Sequence, residues 1–315
     1  LKTFPDALLR LSRKIDSGVN WTAARPSSRA TPTAPTDPVA QACLTDALDA
    51  FGLAGPLAPP ARRLLGYALA RRVSRVASEI QALEARVDAV GLQHGARHAL
   101  DSLVRGVAVQ GLANVPRNGP LLVVANHPGL ADAVALFAYL PRADLRVIAA
   151  HRRLLAALPA TAAHLIVVPE DGSPRLSLLR DAVAHLRRGG AVLTFPAGCI
   201  EPDPAHRKGA VAALAGWSEC VNMFARRVPA LTIVPAAVSG VLSPAALRHP
   251  LTRLRRGPRD RDWLAATLQM LAPRLRDVTP QLVFGRPVHA GTMAAGKTPH
   301  AAVCEAMQRL LTRMP

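Results

Sequence analysis

What most narrows the fold available to this chain is an alternation that begins after Gly106. Short apolar runs of strand length are separated by stretches long enough for helices. The runs are "GVAVQGL", "GPLLVVANH", "DLRVIAA", "HLIVVP", "AVLTFPAG" and "LTIVPAAVSG", with "PQLVFGRPV" as one more towards the end. Such an alternation predicts an α/β fold, a layered sheet flanked by helices, with reactive groups on the loops at strand ends. The final "HAAVCEAMQRLLTRM" reads as a closing amphipathic helix. Upstream the texture differs. From Thr45 to about Val104 apolar residues recur at three- and four-residue spacing, most clearly in "ARRLLGYALARRVSRVASEIQALEARVDAV", so a helical N-terminal module is expected. Ahead of it, "TAARPSSRATPTAPTDP" at 22–38 has the composition of a linker. The expected division is a flexible segment and linker over 1–40, a helical module over 41–105 and a main domain over 106–315.

The second run, "LLVVAN", breaks at Asn126-His127-Pro128-Gly129 before the helical "LADAVALFAYL". Proline followed by glycine marks a turn, which puts His127 at the end of a strand and Asp132 in the first turn of the next helix. On a continuous helix two residues so spaced would point about 140° away from each other. The turn removes that constraint and lets the carboxylate come back to the imidazole. A carboxylate there fixes the ring tautomer and stabilises the imidazolium formed on proton uptake. His127 is thus the candidate general base, taking a proton from an alcohol as its oxygen attacks a carbonyl, with no serine or cysteine nucleophile required.

Charge and composition bound the partners. The 39 Lys and Arg outnumber the 21 Asp and Glu, and the net charge of +18 creates a field that draws anionic partners. An acidic membrane surface, a phosphorylated small molecule and nucleic acid all qualify, although an Ala-, Arg- and Pro-rich composition also follows from genomic base bias. Aromatic residues are only 3% of the chain, so stacking platforms are scarce and single-stranded nucleic acid is the least favoured of the three. Arg62, Arg63, Arg71, Arg72 and Arg75 crowd the first half of the helical stretch. Their spacing suits either a helix lying on an anionic bilayer or one packed on the main domain with a solvated basic face. The basic run "RLRRGPRDR" at 253–261 reads in the same two ways. No uninterrupted apolar stretch reaches the roughly 18 residues of a transmembrane helix. Cys43, Cys199, Cys220 and Cys304 form no CxxC pair, which points to a reducing cytoplasm and to neither a zinc site nor a disulfide framework. His94 and His98 share a helix face but have no third ligand nearby, so no metal site is expected.

The segment "NHPGLAD" resembles the NHx4D signature of the glycerolipid acyltransferase family, which includes lysophosphatidate and glycerol-3-phosphate acyltransferases. Three further blocks follow in the family's order: "RRGGAVLTFPAG" at 187–198 is similar to its Phe-Pro-Glu-Gly block, "RKGA" at 207–210 to its basic-Gly-Ala tail, and "LTIVPAAVSG" at 231–240 to its later Val-Pro strand. The resemblance covers roughly residues 100–290. It implies an acyltransferase-type α/β sheet in which His127 and Asp132 are catalytic. The implied reaction moves a fatty acyl group from an acyl thioester, acyl-CoA or acyl-ACP, to a lysophospholipid hydroxyl, with 1-acylglycerol-3-phosphate as the expected acceptor. No cofactor and no covalent acyl-enzyme are implied, and the protein is expected to be cytoplasmic, peripheral or monotopic at the membrane.

The same blocks imply substrate contacts at Asn126, Pro196, Gly198, Cys199, Glu201, Arg207 and Lys208. The chain departs from the family pattern at three of its polar positions. Ala197 stands where a glutamate is usual, and Cys199-Ile200 where Thr-Arg is usual. A carboxylate and a guanidinium suited to gripping a phosphate are therefore missing, and Glu201, Arg207 and Lys208 are the candidates to replace them. Arg175 is the basic residue nearest the place of the family's remaining block. Cys199 is placed as loop packing rather than as a nucleophile. The altered block also leaves room for a different class of protein, a non-catalytic membrane- or nucleic-acid-binding protein that keeps the fold. A catalytic base requires His127 and Asp132 to meet, and a binding module does not.

Overall fold

The computed structural model describes residues 37–53, 59–168, 176–289 and 296–314; most of the segment read as a linker, and Arg175, lie outside them. Helices of eight residues or more are numbered. In chain order the elements are α1 (Pro38–Ala50), α2 (Pro59–Val90), α3 (Leu92–Leu103), β1 (Ala108–Gln110), β2 (Leu121–Ala125), α4 (Ala131–Tyr139), β3 (Leu145–Ala150), β4 (Leu165–Val168), α5 (Leu176–Arg187), β5 (Ala191–Thr194), α6 (Cys220–Arg227), β6 (Thr232–Ser239), α7 (Pro258–Leu271), β7 (Gln281–Phe284), β8 (Val288–His289) and α8 (Pro299–Arg313).

The strands form one eight-stranded sheet in the order β1-β7-β6-β2-β5-β3-β4, with β8 also on β6. β2 runs parallel to both β5 and β6, and β3 parallel to β5 and β4, whereas β7 and β8 are antiparallel to β6. Each apolar run of the sequence contains a strand, and the central β2 and β5 are buried throughout, because a central strand of a parallel sheet is covered on both faces and carries no polar alternation. β2 shows the division: Leu121, Val123 and Ala125 point into a core shared with α3 and α4, while Leu122 and Val124 point into a core shared with α5, α6 and α8. The late run "PQLVFGRPV" makes two strands rather than one. It is interrupted at Gly285, where a Cβ would lie 2.8 Å from the Pro235 ring and 3.1 Å from Leu310.

The N-terminal helices are built against the sheet. Val87 of α2 and Leu92, Ala96 and Leu100 of α3 belong to the same apolar core as β2. Ala47 of α1 packs with Leu69, Val73 and Val76 of α2 and Leu271 of α7, and Val39 and Ala40 pack with Ala77 and Leu158. α1 starts earlier than the sequence reading placed the helical region: Asp37 caps it by accepting from the Val39 and Ala40 backbone N–H groups, and Pro38 occupies the first turn. The end of the expected linker is thus a helix start, a fixed proline φ and a capping carboxylate having the local effect that composition hides. Arg276, buried, ties this region together by donating to Glu79, the Ser102 carbonyl and the carbonyls of Gln269 and Met270. A second buried arginine, Arg142, does the same at the edge of the sheet where β2, β3 and β5 begin.

The basic half of α2 is packed on one face and exposed on the other. Its apolar face is packed, yet Leu64 is 73% and Tyr67 84% exposed, and Arg63, Arg71, Arg72 and Arg75 are exposed around them. Among the described residues no helix is long and apolar enough to cross a membrane, and no group of three or more metal-ligating side chains occurs. His94 and His98 are exposed on α3.

Candidate active site

β2, β5, β6 and β3 are mutually parallel along the sheet, so their C-terminal ends open on one edge, the edge where parallel sheets place ligands and reactive groups. His127 follows β2, the Phe195-Pro196-Ala197-Gly198 turn follows β5, Gly240-Val241-Leu242 follows β6, and His151-Arg152 follows β3. Gly198 takes a left-handed φ of 64°, which a glycine adopts without steric cost and which turns the chain back towards β2.

The turn after β2 brings the two singled-out residues together. His127 Nδ1 lies 2.8 Å from Asp132 Oδ2, and the same oxygen accepts from the Gly129 N–H at 3.1 Å. Asp132 is fully buried in the first turn of α4, and its other oxygen accepts from the Ala133 N–H at 2.6 Å. A carboxylate is favoured there by the positive end of the helix dipole. Because an ionised carboxylate only accepts, the neutral imidazole carries its hydrogen on Nδ1 and keeps its lone pair on Nε2. The Phe195 ring lies 4.6 Å from the imidazole, centroid to centroid and tilted by 34°. The His127 side chain stays 25% exposed, so the site is open to a substrate. Burial works against charging the ring, but the Asp132 charge and hydrogen bond, with a smaller push from Glu201 and an opposing one from Arg152, leave its pKa above the ordinary histidine value.

Around this pair the polar groups are engaged with one another. Glu201 is buried, and its carboxylate accepts from the His127 backbone N–H at 3.0 Å and from the Trp217 indole N–H at 2.8 Å. The Glu201 N–H in turn donates to the His127 carbonyl at 2.8 Å. Asn126, also buried, donates to the Val238 carbonyl and accepts from the Val238 N–H, both at 2.8 Å. Its amide ties β2 to β6 instead of reaching a substrate. Arg207 is paired side-on with Asp262 at the start of α7, a bidentate contact that neutralises the guanidinium expected to grip a phosphate. Lys208 is exposed beside the loop. Pro196 is buried, and Cys199, half-buried, packs against the apolar core on the α6 side. Ala197, where the resemblance led one to expect a glutamate, is buried in that same core.

Two residues of this edge escaped the sequence reading. Asp203 is fully buried and accepts from four backbone N–H groups, those of Ala205, Gly240, Val241 and Leu242, locking the loop after β5 to the loop after β6. Its signal is an acidic residue set between Pro202 and Pro204, since a proline-fixed loop presents a carboxylate in one direction. Trp217 stands out as an isolated indole in a chain poor in aromatics. Arg152, at the end of β3, is exposed and lies within electrostatic reach of both His127 and Asp46 of α1.

Residues 106–239 match the family model described as Acyltransferase. Among solved structures the chain is similar to the 1-acyl-sn-glycerophosphate (LPA) acyltransferase PlsC from Thermotoga maritima, at 18% sequence identity and a TM-score of 0.44, over 70% of this chain and 76% of that one. No curated protein sequence matches the chain. The matched span runs from just ahead of β1 to the last residue of β6 and holds the His127–Asp132 pair.

Proposed function

We propose that the protein is an O-acyltransferase that moves a fatty acyl group from a thioester, acyl-CoA or acyl-ACP, to the hydroxyl of a lysophospholipid, 1-acylglycerol-3-phosphate being the expected acceptor. The observation that carries this reading is the 2.8 Å contact between His127 Nδ1 and the buried Asp132 carboxylate, which leaves Nε2 as the base. Nε2 takes the hydroxyl proton as the acceptor oxygen attacks the thioester carbonyl carbon. A C–O bond forms, the C–S bond breaks, and the imidazolium returns the proton to the leaving sulfur. Asp132 holds the ring and offsets the positive charge that develops on it. For an anionic acceptor the exposed cations near this edge are Arg152 and Lys208, whereas Arg207 is paired with Asp262.

A substrate of this kind resides in a bilayer, and the outer face of α2 suits contact with one. Leu64 and Tyr67 project beside Arg63, Arg71, Arg72 and Arg75, an apolar tip within a cationic rim. Acylation of 1-acylglycerol-3-phosphate, glycerol 3-phosphate and a neutral monoacylglycerol, each with the same acyl-CoA or acyl-ACP, tests the reaction and the acceptor together. Transfer that requires His127 and prefers the phosphorylated lysolipid supports the proposal. No transfer from either donor to any of the three would sink it, and equal rates on all three, unchanged in Lys208→Ala, would remove the phosphate from the reading.

A further inference from the structure

We infer that Glu201 is a positioning residue for the base: it holds the His127 backbone through a reciprocal pair of hydrogen bonds and sets a second buried negative charge beside the imidazole. The inference rests on the reading of His127 as the base and goes beyond it, because Glu201 stands at a different position from the glutamate that Ala197 replaces. One carboxylate oxygen accepts from the His127 N–H and the other from the Trp217 indole, while the Glu201 N–H donates to the His127 carbonyl. Both atoms of the His127 peptide that can hydrogen-bond are thus taken by a single residue 74 positions away, and the Phe195 ring closes over the imidazole. With both oxygens occupied inside the protein, Glu201 has no part in gripping a substrate.

The arrangement is costly unless the charge is used. Two neutral donors do not replace the water a carboxylate loses on burial, and burial holds the Glu201 carboxyl above its ordinary pKa despite the hydrogen bonds from Trp217 and His127. What the charge faces is the ring that becomes cationic during proton transfer. The charged groups bearing on His127 are Asp132 from α4, Glu201 from the loop after β5, and Arg152 from the end of β3. The two carboxylates favour the imidazolium and the arginine disfavours it. Glu201 therefore acts in the same direction as Asp132 without touching the ring nitrogens.

The test is the titration of the His127 ring, followed by NMR in the full chain, alongside the pH profile of thioester-dependent acylation. Glu201→Gln keeps the shape and removes the charge. It is expected to move the His127 midpoint to lower pH and to reduce kcat by about tenfold, a fraction of what a positioned base contributes, with KM for both substrates unchanged. Trp217→Phe keeps the charge but removes one donor to it, favouring the protonated carboxyl, so a smaller movement in the same direction is expected. This second variant decides the question if the first does not fold. A His127 midpoint that stays at the wild-type value in the folded variants would overturn the inference, as would a loss of activity expressed only in KM. Because the titration is read without substrate, it stands even if no acyl transfer is found.

Discussion

The two edges of the parallel sheet are organised by charges of opposite sign. Where β2, β3 and β5 begin, the buried Arg142 donates to the carbonyls of Gly119 and Gly189 at 2.9 and 2.6 Å and to the Asp144 carboxylate at 2.7 and 2.8 Å. Where the strands end, the buried carboxylates of Asp132, Glu201 and Asp203 accept from backbone N–H groups. Chain direction explains the difference. Strands of a parallel sheet are entered from helix C-termini, whose last carbonyls lack partners, and left towards helix N-termini, whose first N–H groups lack partners. A guanidinium suits the first edge and a carboxylate the second. The comparison separates architecture from chemistry, because Arg142 is as elaborately bonded as Asp132 and yet its exposed partner, Asp144, is a carboxylate held in an ion pair. What distinguishes the carboxylate edge is that its partly exposed partner, His127, is an imidazole fixed through one nitrogen with the other left to accept a proton.

His127→Ala is the largest expected break in that comparison. It removes the partly exposed imidazole of the carboxylate edge and should lower kcat for thioester-dependent acylation by about 10²- to 10⁴-fold, in a variant that circular dichroism shows to be folded. Each charged staple should show the converse. Asp203→Ala strands backbone N–H groups in the interior, and Arg142→Met strands carbonyls at the opposite edge. Denaturant titration should find each variant less stable by roughly 3 kcal/mol, with residual activity in the fraction that folds.

The pH profile sharpens the same contrast. A base must be neutral to accept a proton, and the pKa of His127 is raised, so the acid limb of kcat/KM should lie above pH 6.5, the ordinary histidine value. Asp132→Asn removes the main cause of the rise and should carry that limb to lower pH while the rate falls. For stability the sign is opposite. A histidine whose pKa is raised by folding contributes fully below pH 6.5, and the contribution is lost as pH rises through the folded value. The smallest effect belongs to Cys199. With the acceptor oxygen attacking the thioester directly, Cys199→Ala should leave the rate within about threefold, and an acyl group found on this cysteine by mass spectrometry would move the mechanism to covalent catalysis.

Local signals were legible in the sequence, and distant partners were not. The central runs were the clearest, because burial on both faces leaves its mark on consecutive residues. The turn that joins His127 to Asp132 was equally visible, since Pro128 and Gly129 act on the chain beside them. By contrast, the partner of Arg207 is 55 residues away, that of Glu201 74 and that of Asn126 112. Nothing in their own neighbourhoods says that these side chains are already engaged. A motif position therefore marks a loop and leaves its hydrogen bonding open. The start of α1 was missed for the opposite reason: Asp37 and Pro38 are strong local signals at the end of a stretch whose average composition outweighs them.

The indole of Trp217 gives the reaction centre an optical label of its own. A buried indole hydrogen-bonded to a carboxylate one residue removed from the base emits according to the state of that carboxylate. The chain has only two other tryptophans, Trp21 and Trp263. With both replaced by phenylalanine, fluorescence would come from the site alone, and a proton or a ligand arriving beside His127 becomes something that can be watched in real time.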